Sequence, residues 1–133
     1  MKTLRFAAVI AALLVGFAAP ALAQVGCDQS ASYDASTNGA TRLVTGDSVN
    51  RVYVCGFTIV AGGTATVGLV TGTGTNCATG QAALTPSWSM VAQTVVPDSS
   101  PAWRGLLAAP GLDVCIKTNA GVAVQAIVYF SKR

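Results

Sequence analysis

Histidine and glutamate are absent from this 133-residue chain, and aspartate occurs five times, at Asp28, Asp34, Asp47, Asp98 and Asp113. These gaps remove most of the groups used for general acid and base chemistry. Composition alone excludes Ser-His-Asp and Cys-His nucleophile activation, and a carboxylate-pair glycosidase would have to draw on two of the five aspartates. Asp28, Asp34, Asp47 and Asp98 stand in turn-like surroundings, where a short carboxylate bonds nearby backbone amides, and Asp113 alternates onto an outward strand face with Lys117. We therefore expect no enzymatic activity, no catalytic residue and no cofactor.

Metal chemistry is also poorly supplied. No C-x-x-C spacing occurs and there is no imidazole, so zinc, haem-attachment and thioredoxin-like readings lose their usual groups. Asp28 and Asp34, with Gln29, Ser30, Ser32 and Asn38, offer oxygen ligands but lack the spacing of a calcium loop. The glycine-rich run Gly72 to Gly80 matches neither phosphate-binding pattern, and no helix follows it.

Charge is scarce, at 10% of residues. Beyond residue 23, the basic residues Arg42, Arg51, Arg104, Lys117, Lys132 and Arg133 are scattered, and the stripe that phosphate recognition needs is missing. Nucleic acid is not an expected partner. Long apolar runs are missing too: the one unbroken run, Phe6 to Ala19, falls short of the roughly 20 residues that span a bilayer.

That run follows Lys2 and Arg5 and precedes Pro20-Ala21-Leu22-Ala23, the three-part pattern of a bacterial-type secretory signal peptide over residues 1–23. The mature chain is expected to begin at Gln24 and to have no integral membrane segment, a single domain over 24–133, and a secreted, periplasmic or cell-surface destination. Cys27 is not expected to be lipidated, because Gln24 stands where a lipobox requires an aliphatic residue.

What the mature chain does contain is four cysteines, Cys27, Cys55, Cys77 and Cys115. An even number in an exported chain points to two disulfides, with three pairings open. Around them, β-branched and aromatic residues recur in short runs separated by Gly, Pro, Asn, Asp and Ser. Thr41 to Thr45, Val52 to Val60 and Thr64 to Thr71 read as strands, the last two as a hairpin closed by Ala61-Gly62-Gly63. Trp88 to Val96 reads as one strand and Arg104 to Leu107 as a short one. Leu112 to Thr118 and Val122 to Phe130 alternate most cleanly, with Leu112, Val114 and Ile116 on one face and Asp113, Cys115 and Lys117 on the outward one. About seven short antiparallel strands make the fold class all-β, a β-sandwich, with the jelly roll as one form of it.

Val54-Cys55-Gly56-Phe57, Ala61-Gly62-Gly63-Thr64, the run from Gly72 to Cys77, Cys115-Ile116 and the late Val128-Tyr129 occur in this order over nearly the whole mature chain. In this set the chain resembles a group of small uncharacterised β-sandwich proteins, some of jelly-roll type, encoded by bacteria and their phages. The resemblance implies a structural or surface-display role and carries no functional residues with it.

Two functional readings follow. The first is an exported structural or interaction module of the cell envelope or surface, acting as a homo-oligomer or against an envelope protein. Its basis is the low charge, together with apolar groups on both faces of Val52 to Val60 and of Val122 to Phe130. The second is a carbohydrate- or surface-ligand-binding module that uses exposed aromatics, for which Trp88, Trp103 and Tyr33 are the candidates.

Overall fold

In a strand, successive side chains point to opposite faces, so a chain of short alternating runs can bury one row from each. The computed structural model describes residues 26–36, 38–97, 106–119 and 121–133. The expected signal peptide, Asp98, Trp103 and Arg104 lie outside the described residues. The strands are β1 (Gln29–Ala35), β2 (Gly39–Val44), β3 (Val52–Ala61), β4 (Ala65–Thr73), β5 (Thr79–Ala83), β6 (Trp88–Met90), β7 (Val95–Pro97), β8 (Leu106–Ala108), β9 (Asp113–Thr118) and β10 (Val124–Lys132). One 3-10 turn, Thr75–Cys77, interrupts them.

Two antiparallel sheets face each other. The first runs β1-β10-β3, with β7 and β8 placed end to end along the far edge of β3, opposite Thr58 to Val60 and Val52 to Val54. The second runs β2-β9-β4, with β5 and β6 sharing the far edge of β4 in the same way. If each end-to-end pair is taken as one position, eight positions remain, ordered 1-8-3-6 and 2-7-4-5. Nearly every connection then crosses between sheets, which is the connectivity of a jelly roll. Between the layers lie Val52, Val54, Phe57, Ile59, Val67, Leu69, Met90, Val114, Ile116, Val124 and Val128, all 2% exposed or less. Each such side chain contributes about 1.5–3 kcal/mol through removal from water.

Several strands depart from their sequence reading. Ten are present among the described residues rather than about seven, because β1 and β5 have no apolar alternation and Trp88 to Val96 is not one strand. It breaks at a turn in which Thr94 N donates to Val91 O and Gln93 takes φ 64°, and this turn carries the chain from the second sheet to the first. β3 and β4 do not form a hairpin. Ala61-Gly62-Gly63 is a crossover between sheets, anchored by Gly62 N donating to Ala123 O, and Gly63 lies so close to Val122 that a Cβ would sit 2.9 Å from its Cγ1. Asp34 lies within β1 rather than in a turn.

Most of the apolar residues on both faces of β3 share one destination, and only Tyr53 and Val60 stay on the outer face. Opposite β10, the register slips between Gly56 and Val54, leaving Cys55 as an extra residue. This β-bulge reverses the alternation, so Val52 and Val54 before it and Phe57, Ile59 and Ala61 after it all point into the core.

Candidate interaction surface

The aromatic candidates do not form one platform. Trp88, on β6, packs against the core with its ring centroid 5.4 Å from that of Phe57. Tyr33, on β1, is 40% exposed at the opposite margin of the molecule. Trp103 lies outside the described residues. The four cysteines pair as Cys27–Cys55 and Cys77–Cys115, an arrangement that an oxidising compartment permits.

The middle of the second sheet's outer face is covered by the chain itself. Cys115 and Asp113, expected to point outward into solvent, are buried there at 0% and 7% exposure. The 3-10 turn folds over them and is fixed by the Cys77–Cys115 bridge, making a small second cluster with Val70 and Ala40. Gly72 lies beneath it, where a Cβ would approach Cys77 Cβ to 2.8 Å and Thr79 O to 3.0 Å. Polar groups close the rim. Asp113 accepts from Arg42 Nη1 at 3.2 Å and from Gly46 N at 2.8 Å. Asn76 Oδ1 accepts from Arg42 N, Gln81 Nε2 donates to Cys77 O, and Lys117 Nζ donates to Gln81 Oε1. This cover was hidden in the sequence because the alternation of β9 marks Asp113 and Cys115 as off-core without saying what lies above them.

The first sheet presents a different exterior. Register and alternation place four rows across it: Asp34, Gln125, Val60 and Val95; then Ser32, Ile127 and Thr58; then Ser30 and Tyr129; then Ser131, Tyr53 and Leu107. Four of its large apolar side chains are open to solvent, Val95 at 49%, Tyr129 at 46%, Ile127 at 40% and Leu107 at 38%. The middle rows carry no charge. The bulge concentrates this surface on β10 and on the edge strands by turning Phe57 and Ile59 inward.

A strap crosses the face between its third and fourth rows. β10 separates β1 from β3, a distance of roughly 9.6 Å at ordinary strand spacing, yet the Cα atoms of Cys27 and Cys55 are 6.0 Å apart. The chain before Gln29 therefore leaves the line of β1 and crosses outside β10 to reach the bulge. Ser131, on the same face, is 1% exposed, and its Oγ has no partner among the described residues. At the end away from the strap, Ser32, Tyr33, Asp34, Gln125, Ala126 and Ile127 line a shallow recess of about 370 Å³.

The oxygen ligands considered for calcium do not converge. Asp28 and Asp34 stand at opposite ends of β1, roughly 20 Å apart along an extended strand. Among the described residues, no three His, Cys, Asp or Glu side chains gather as a metal site, and no helix is long and apolar enough to cross a membrane. No protein-family model, curated protein or solved structure matches this chain.

Proposed function

We propose that this protein is a non-enzymatic structural or interaction module, exported to the cell envelope or surface, that works by contact through the outer face of its first sheet. The supporting observation is the contrast between its two exteriors. A disulfide, a loop and an ion pair cover the middle of one sheet, while the other, crossed near one end by the Cys27–Cys55 strap, leaves Val95, Leu107, Ile127 and Tyr129 in water. Isolated exposed apolar residues are ordinary, but several on one flat face, with no charge among the middle rows, mark an interaction site. Bridging of all four cysteines also removes the thiols, the strongest nucleophiles the composition offers.

Fractionation of the producing cell tests this reading. The native protein should be found with the envelope or in extracellular assemblies and should yield cross-linked products there. Recovery as a free single chain, with no partner after cross-linking, would count against it.

The recess beside Tyr33 supports a second, narrower reading as a carbohydrate-binding module, because Asp34, Gln125 and Tyr33 are among the residues that line it. Chemical shifts of Tyr33 and Gln125 that ignore a panel of glycans at millimolar concentration would remove it.

A further inference from the structure

The chemistry of the open face restricts what can cover it. Nucleic acid or an anionic lipid surface would need cations spread over the face, and its middle rows, which hold Ile127, Thr58, Pro97, Tyr129, Gly56 and serines, carry no charge. Charges stand at the ends. Asp34 lies in the first row. At the opposite end Arg51 and Arg133 pair backbone to backbone beyond Val52 and Lys132, and alternation from Tyr53 and Ser131 places both on this face, with Asp28 nearby before β1.

A surface that is neutral in the middle and oppositely charged at its ends is complementary to itself when turned end for end. We propose that the occupant is a second copy of this chain, packed face to face about a two-fold axis, with Ile127 and Tyr129 at the centre and the strands of the two copies antiparallel. This inference rests on the contact reading above. The antiparallel arrangement brings Asp34 of each copy toward the Arg51 and Arg133 end of the other; the parallel arrangement would set like charges together. A two-fold contact of this kind is isologous and closes at two copies, giving four stacked sheets with a spacing of about 10 Å at the new layer. Strand spacing and rise give the three rows clear of the Cys27 strap roughly 400 Å² per copy, hence roughly 800 Å² in total, below the usual size of a specific interface. The association is therefore weak and concentration-dependent.

Light scattering after size exclusion, on the mature chain across a concentration series, reads this directly. The mass should rise from one copy toward two. Ile127→Lys should shift that rise to at least about tenfold higher concentration, since it places like charges at the centre of the contact. Val91→Lys, at a more exposed apolar residue outside the face, should leave it unchanged. The lysine stem can lie along the half-exposed Ile127 site, and circular dichroism should confirm an unaltered fold. Asp34→Lys should weaken association, and adding Arg133→Glu should restore part of it. A single-copy mass at every concentration, or an association indifferent to Ile127→Lys, overturns the inference; a swap without rescue overturns the antiparallel arrangement. If the chain stays single yet is bound to the producer's envelope, the inference falls and the contact reading stands; if it is single and free, both fall.

Discussion

Asp113 and Asp47 show two uses of a carboxylate that need no catalysis. Asp113, with its side chain 10% exposed, ties β9 to Arg42 and to the amide of Gly46. Asp113→Ala would leave that amide unpaired in a covered site and should lower stability by about 1–3 kcal/mol. Asp113→Asn, which keeps an acceptor for Gly46, should lose less, and Arg42→Ala, acting at a side chain 41% exposed, should lose about 0–1 kcal/mol. Urea unfolding of the three variants checks the order, and an equal loss in all three would contradict it. Asp47 accepts from the amides of Asn50 and Val49, and these bonds, that from Asn50 first, hold its carboxyl below the ordinary value of 3.8, with smaller help from the Asn50 side chain and Lys132. A lowered folded-state value means the ionised carboxylate stabilises the fold fully above pH 3.8 and loses that effect as pH falls through the folded value. The stability difference between the native chain and Asp47→Ala should therefore be flat from neutral pH down to about 4 and shrink below it. A difference that grows in acid would refute this role.

At the scale of elements, the two disulfides protect different things. Cys77, in the 3-10 turn, and Cys115, beneath it, are fully buried, whereas Cys55 is exposed at the bulge and Cys27 only half-buried. Limited reduction followed by alkylation should label Cys27 and Cys55 first, and peptide mapping that found Cys77 and Cys115 first would contradict the burial. Loss of either bridge should reduce stability by about 2–4 kcal/mol. Gly72→Ala should also destabilise the domain, because the cover over β9 must shift to admit the methyl group.

The same elements explain what the sequence disclosed. β9 and β10 were legible because one row of each is apolar and enters the core, which period-2 alternation reports. β1, QSASYDA, was invisible because it contributes Ala31 to the core margin and is otherwise held by pairing with β10; backbone hydrogen bonds leave no side-chain pattern. The supposed hairpin failed because a Gly-Gly turn marks a reversal without specifying whether the returning strand joins the same sheet. The bulge at Cys55 concealed the core face of β3, since two half-strands of opposite phase read as apolar on both sides. Of the candidate site residues, the cysteines were legible from number and compartment, but Trp88 was drawn from residue type alone, and its place beside Phe57 depends on a crossover that local sequence does not encode.

At the scale of the molecule, the jelly roll gives two exteriors from one core, one covered at its middle by its own loop and one left open. The apolar surface that the sequence placed on two strands is carried mainly by β10, since Val52, Val54, Phe57 and Ile59 of β3 enter the core and only Tyr53 and Val60 stay outside. The strap from Cys27 to Cys55 fixes where the chain enters the domain, across the open face between its third and fourth rows. Of the three tyrosines, Tyr129 stands in the middle of that face, while Tyr33, paired with Ala126, alternates to the other side of the edge strand β1, with similar exposure in the single chain. Nitration by tetranitromethane, mapped by peptide and expressed as the ratio of Tyr129 to Tyr33, therefore reports directly on whether the face is covered. In dilute purified protein the two should react to a similar extent, and in the intact producing cell Tyr129 should be protected severalfold relative to Tyr33; equal reactivity of Tyr129 in both settings would contradict a protein that works by contact through this face.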